Sequence, residues 1–374
     1  MPRICHLFDA ATGWEQRVAV SQLLDRLPRD RFSQTLAALD PAAVMPLRSL
    51  ATPIRVLPRF AKLNALVAPL FARFVETNRC DVIHAWGPDA AAVAAMASRR
   101  PLVVEMFDPA FASRSVKLLR TLARPREFGI ICSAELVRRR LIEGGVPPES
   151  CVTVRPGIDF AFVNRLRRGP LRERLGISPD DFAILLPDPV TRDAGHFEAF
   201  WAGALMNHLA GNVKIIVPGR SPEQQRIARF AATAPSRPRI ITPGDAAPFE
   251  QLIPTADALV VSSDADVSTT AIAWAMASNV AVIAAAGYAV AELIANKVNG
   301  LLFKRTREKS STVTLVKLLE DHTAQAKVKE TAHGQAYEVF SLRRCIEQHT
   351  RVYENVLAGV SPGEGVTDSA QVAS

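Results

Sequence analysis

Residues 258–303 read ALVVSSDADVSTTAIAWAMASNVAVIAAAGYAVAELIANKVNGLLF, and their rhythm decides the fold. A short apolar run, ALVV, gives way to the polar loop Ser262-Ser263-Asp264-Ala265-Asp266. The apolar helical stretch AIAWAMAS follows, then a second β-branched run, VAVIAAAG, and then AELI and NGLLF. Short β-branched runs separated by longer helical stretches are the signature of βαβ units and a mostly parallel sheet.

The same alternation extends in both directions. The first half offers strands at Ile4-Leu7, Gln34-Ala38, Val82-Ala85, Leu102-Glu105, Ile130-Cys132 and Val152-Val154, with helices over Gly13–Leu27, Leu63–Asn78 and Ala134–Gly144. The second half restarts at Ala183-Leu186 and continues through Val213-Val217, Arg239-Ile241, Ala258-Val261, Val280-Ala284 and Gly300-Phe303. At 374 residues the chain exceeds the size at which one core keeps growing, so two domains are expected. The pattern predicts an α/β protein of two Rossmann-like domains facing a central cleft. Their expected spans are 1–164 and 176–340, joined by an arginine-rich Gly-Pro linker at 165–175. A helix at 341–358 packs back on the first domain, and a small, polar tail at 359–374 is expected to be disordered.

Composition narrows the function. With 48% hydrophobic and 22% charged residues, the chain can bury two cores. The five scattered cysteines form no metal-ligand spacing and read as those of a reducing compartment. The amino-terminal apolar run is too short for a secretory signal and reads as the first strand, and no run approaches a bilayer span. The net charge of +8 concentrates in the first half. Arg114, Lys117, Arg120, Arg124 and Arg126 alternate with apolar residues and no acid. That stretch suits either an anionic membrane surface or a solvated helix face. With only 3 Tyr and no basic-aromatic interleaving, nucleic acid is not the expected partner.

Three residues follow predicted strands at the carboxyl edge of the sheet, where ligands of parallel sheets collect. Gly13 can expose helix amides to an anion, or be a turn glycine; without full G-x-G-x-x-G spacing it is no dinucleotide fingerprint. His84 ends a strand, and one histidine without a partner also fits a structural role. Asp108 faces the same edge or caps a turn.

Read in order, these segments resemble the glycosyltransferase group 1 (family 4) proteins of GT-B fold. Gly13-Trp14-Glu15 is similar to the family's acceptor-side GG-x-E loop, Asp81-Val82-Ile83-His84 to its D-V-[IV]-H strand, and Ser133-Ala134-Glu135 to its vSe helix start. Val154-Arg155-Pro156-Gly157-Ile158-Asp159 is similar to the P-N-G-V-D that closes the first domain. The resemblance implies a cytoplasmic retaining transferase, peripheral on the inner membrane face, moving a sugar from a nucleotide-sugar to a cell-envelope glycan or lipid-linked acceptor. It implies no metal or other cofactor.

The donor subsite departs from the family pattern. Where the family has G-R-L-x-x-x-K-G, this chain has Asp188 to Gly195, with Pro189 for the arginine and Ala194 for the lysine. In the family's E-x7-E motif Asp266 keeps the first carboxylate and Trp274 replaces the second. On the acceptor side, Phe107-Asp108 stands for His-Asp. Within this frame donor binding is expected at Arg192, Arg220, Ser268, Thr269, Thr270 and Glu292, with Arg192 and Arg220 standing near the lost cations and Arg192 readable also as a solvated loop arginine, and catalysis at Asp266, Asp108 and His84. Losing two charge-assisted contacts weakens diphosphate binding by roughly 3 to 6 kcal/mol unless Arg192 and Arg220 compensate. Two alternatives stay open: a degenerate member that binds a glycan or a partner, and an enzyme for a lipid-linked donor that uses Trp274 as a stacking surface.

Overall fold

In the computed structural model the described residues are 1–9, 14–40, 53–58, 64–107, 109–122, 127–187, 195–218, 222–234, 236, 239–244, 247–263, 269–304, 313 and 322–366. The chain divides into two compact units, Met1–Gly157 with Phe340–Ser369, and Ile158–Val339.

The first unit is built on a seven-stranded parallel sheet in the order β3-β2-β1-β4-β5-β6-β7. Its strands are β1 (Arg3–Phe8), β2 (Ser33–Ala38), β3 (Ile54–Val56), β4 (Val82–Trp86), β5 (Leu102–Met106), β6 (Phe128–Cys132) and β7 (Cys151–Thr153). β4, β5 and β6 are buried along their whole length, as strands covered on both faces must be. The covering helices are α1 (Trp14–Arg26), α2 (Asn64–Thr77), α3 (Pro88–Ala97), α4 (Pro109–Leu122) and α5 (Glu135–Glu143). After β7 come α6 (Phe160–Arg165), α7 (Arg168–Arg174), β8 (Phe182–Leu185), α8 (His196–Ala210), β9 (Val213–Pro218), α9 (Gln224–Thr233), β10 (Arg239–Gly244), α10 (Phe249–Leu252), β11 (Ala258–Val261), α11 (Thr270–Ala277), β12 (Ala281–Ala285), α12 (Tyr288–Ala291), β13 (Leu301–Phe303), α13 (His322–Val339) and α14 (Leu342–Ala358).

The alternation of side chains along a strand sorts the first unit's core into two layers. Cys5 and Leu7 join Phe71 and Val75 of α2, Val93 of α3, Leu119 of α4 and Leu141 of α5. Ile4 and Phe8 join Val20 and Leu23 of α1 and Val352, Tyr353 and Val356 of α14. The second unit repeats the plan with a six-stranded parallel sheet, β10-β9-β8-β11-β12-β13. Ile184, Phe200, Ile215, Phe230, Val260 and Ile283 lie in one of its core layers, and every residue of α11 is buried. Both units are Rossmann-like.

Three expectations are corrected. The boundary falls at Gly157, and the arginine-rich segment expected as a linker contains α7, an integral part of the second unit. Its Arg172 is buried and donates to the carbonyls of Thr255 (2.9 Å) and Ser178 (2.8 Å) and to Asp257 Oδ2 (3.2 Å). An arginine reads as solvated until the fold gathers carbonyls around it. The segment after Gly359, expected to be disordered, is ordered through residue 366, where Asn355 donates to the carbonyls of Pro362 (3.2 Å) and Glu364 (2.8 Å). The short edge strand β3 went unpredicted, because Pro53 and Pro58 bracket its three residues and read as a loop.

Candidate functional site

In each sheet the strand order reverses once, between β1 and β4 in the first unit and between β8 and β11 in the second. Ligands of open parallel sheets bind outside the carboxyl ends of the strands at such a reversal.

In the second unit, Gly195 (φ 71°) stands at the start of α8, on the connection leaving β8. β11 is followed by buried Ser262, and α11 opens with Thr269 and Thr270, both buried. Two helix N-termini therefore stand at the two edges of the reversal, presenting amide N–H groups and partial positive charge, with threonine hydroxyls beside one of them. The arrangement suits a diphosphate. Glu292, half-buried, directly follows α12. Trp274 is 1% exposed and packs edge-on against Phe162, with ring centroids 6.4 Å apart. It is a core aromatic, and it offers a ligand neither a carboxylate nor a stacking face.

In the first unit, β1 ends at Asp9, a residue sequence reasoning missed. Its carboxylate is buried, and Oδ2 accepts the Asp89 N–H at 3.2 Å in the first turn of α3. Gly87 (φ 106°) lies so close that a Cβ there would come within 2.2 Å of that oxygen. The available signal was an acid directly after the apolar strand RICHLF. Ser133 donates its hydroxyl to the Phe107 carbonyl at 2.9 Å, and Glu135 accepts from Thr153 at 2.9 Å and Arg138 at 3.0 Å. Both are occupied in holding their own loops.

His84 is not at the open edge where the sequence placed it. Strand register sets His84 beside His6, on the face that α1 and α14 cover, and it is wholly buried. Its Nδ1 is hydrogen-bonded to the Tyr353 hydroxyl at 2.7 Å, and Trp86 Nε1–H donates to His6 Nδ1 at 3.2 Å. Burial pushes the pKa of His84 and, further, that of His6 below the ordinary value. Glu105 lies 3.3 Å from His84 and 3.3 Å from His349. Sequence reading missed Glu105, His349 and Tyr353, since nothing local marks them.

Gly13, Asp108, Arg124, Arg126, Arg192, Arg220, Asp266 and Ser268 lie outside the described residues, as do Pro189 and Ala194. Trp14 and Glu15 open α1 and Arg114 lies in α4, and only their backbone is described. Lys117 and Arg120 are exposed on α4. Among the described residues no group of three or more His, Cys, Asp or Glu could hold a metal ion, and no helix is long and apolar enough to cross a membrane.

Two family models match: "Glycosyltransferase Family 4" over residues 16–162 and "Glycosyl transferases group 1" over residues 169–335. The chain belongs to the group 1 / family 4 glycosyltransferases. Solved structures share the fold at low identity. The Anabaena HepE protein in complex with UDP-glucose superposes with a TM-score of 0.80 at 22% identity, covering 95% of this chain and 100% of that one. A glycosyltransferase from Rickettsia africae gives 0.76 at 15% identity, with 95% and 98% covered. Sucrose-phosphate synthase from Thermosynechococcus elongatus gives 0.75 at 14%, with 96% and 100% covered. No curated protein gives a significant match.

Proposed function

We propose that this glycosyltransferase moves a sugar, with retention, from a nucleotide-sugar to a cell-envelope glycan or lipid-linked acceptor. The observation that carries the donor assignment is the pair of helix N-termini at the second unit's strand reversal, with buried Thr269 and Thr270 at one of them. Dipoles and hydroxyls fixed before the reaction stabilise a leaving diphosphate without reorganisation. Arg192 and Arg220 supply the positive charge that Pro189 and Ala194 do not, and Asp266 orients the sugar. The donor phosphate accepts the acceptor's proton, so the mechanism needs no protein base. The basic side chains of Lys117 and Arg120 on α4, with Arg114, Arg124 and Arg126, hold the first unit against an anionic membrane.

One observation favours a second reading, a glycan- or partner-binding protein without turnover. Trp274, at the place of the family's second donor carboxylate, lies in the core, so no group there reaches a ribose hydroxyl. Isothermal titration against UDP-, GDP- and ADP-sugars separates the two. The transferase reading expects micromolar binding of one nucleotide class, lost in Arg192→Ala. Absence of heat with every nucleotide, from protein shown to be folded, would leave the binding reading.

A further inference from the structure

The carboxyl-terminal helix α14 follows the second unit in sequence yet belongs to the first, where it packs on α1, β5 and β6. Beneath it a buried polar cluster interrupts a largely apolar layer. His349 Nδ1 is 2.8 Å from the carbonyl oxygen of Cys345, and its Nε2 is 3.3 Å from Glu105 Oε2 on β5. Both side chains are buried, at 4% and 3% exposure.

A carbonyl oxygen only accepts, so His349 Nδ1 carries a hydrogen. His84 Nδ1 and the Tyr353 hydroxyl are hydrogen-bonded at 2.7 Å, and His84 Nε2 lies 3.3 Å from the same Glu105 oxygen. Burial disfavours the charged Glu105, but His349 outweighs burial and holds it in its carboxylate form, and a carboxylate only accepts, so His349 Nε2 also carries a hydrogen. His349 is then an imidazolium paired with the Glu105 carboxylate, and burial favours the neutral form of His84. Among the described residues, the other titratable groups near the pair are His6 on β1, held neutral, Cys132 on β6, whose thiol burial and Glu105 push up, and Cys345 and Tyr353 on α14 itself, with Cys345 Sγ 3.5 Å from His349 Nδ1. A small cavity of about 10 Å³, room for about one water, is lined by Gln22, Trp86, Glu105, Cys345 and His349.

We propose that α14 is a proton-operated latch, held on the first unit by the buried His349–Glu105 ion pair and released when His349 gives up its proton. Loss of that proton leaves a buried carboxylate with no cation beside it, the costly state of a broken buried pair. Burial alone lowers the pKa of His349, but Cys345 and Glu105 outweigh it and raise it well above the ordinary value. A raised pKa gives stability that is complete below about pH 6.5 and lost as pH rises to the folded-state pKa. Burial raises the Glu105 carboxyl, but His349 outweighs it and holds the pKa below its ordinary value. That contribution is lost only as pH falls through the depressed value. The latch is therefore tightest between the depressed Glu105 value and about pH 6.5, and loosens as pH rises from there to the raised His349 value.

The test is hydrogen exchange by mass spectrometry on the full chain, corrected for intrinsic rates, from pH 6 to pH 9.5. Peptides over 342–358 report the latch, and peptides over β11 serve as the internal reference. Opening of α14 is expected to rise by up to tenfold per pH unit above about pH 6.5 and then to level off. In His349→Gln, which keeps a donor but does not titrate, opening should be raised and flat with pH. Nitrogen NMR of the wild-type imidazoles should find His349 doubly protonated at pH 6.5, a readout that survives if the variant does not fold. A neutral His349 at that pH, or α14 opening that is unchanged between pH 6 and pH 9.5, overturns the proposal.

Discussion

Arg172 carries no mark in the sequence that separates it from Arg165, Arg167, Arg168 and Arg174 around it. Only its surroundings do: Thr255, Ser178, Asp181 and Asp257 converge on one guanidinium. Arg172→Ala is expected to lower the stability of the second unit by about 3 to 5 kcal/mol in urea denaturation, because a carboxylate and several carbonyls lose their donor at once. Arg172→Lys should recover less than half of this, lacking the forked donors. Gly87 is set by sterics. Alanine there would adopt φ 106° and meet the Asp9 carboxylate, so Gly87→Ala should cost about 1 to 3 kcal/mol. The double variant with Asp9→Ala should lose less than the sum of the two single changes. Asp181 gives a pH signature of its own. Burial raises its carboxyl, but the Lys214 ammonium, 2.8 Å away, and the Ser178 amide outweigh burial and hold the pKa below the ordinary value. The stability it adds is present above about pH 3.9 and lost as pH falls through the depressed value, so Asp181→Asn should flatten that part of the acid limb in chemical denaturation.

Elements were legible where local chemistry speaks for itself. β11, α11 and β12 follow from ALVV, AIAWAMAS and VAVIAAAG, because β-branched runs pair and an all-apolar helix must be buried. Their side-chain environments were less legible. At Trp274 the family's carboxylate site and the core compete for one position, and the core holds it. Trp274→Glu should therefore cost about 3 to 5 kcal/mol in thermal denaturation, through a cavity and a buried carboxylate, and should add no nucleotide affinity. Gly157 shows the same dependence on packing. A Cβ there would lie 2.8 Å from the Leu342 Cα and 2.9 Å from the Cys345 Cβ. Gly157→Ala should push out the first turn of α14, costing about 1 to 3 kcal/mol and raising exchange at residues 342–346.

At the scale of the whole molecule, the donor question turns on charge missing from one loop. Pro189→Arg with Ala194→Lys should raise nucleotide-sugar affinity at least tenfold by titration if the fold is that of a transferase that relocated its cations, since each charge-assisted contact contributes about 1.5 to 3 kcal/mol. An unchanged affinity would favour the binding reading. The sequence by itself determined the alternation of strand and helix and the two Rossmann-like units, because those depend on residue periodicity and turn chemistry within a few positions; the family was legible through the resemblance of its motifs. Tertiary structure alone decided that the first unit ends at Gly157, and that one arginine of an arginine-rich stretch, Arg172, is buried in the second unit. It also decided that His84 turns away from the open edge. His84 meets Tyr353 across 269 positions, and Glu105 meets His349 across 244. Strand register and helix docking, which no local pattern encodes, bring such distant groups together, and burial then fixes which of them carries a charge.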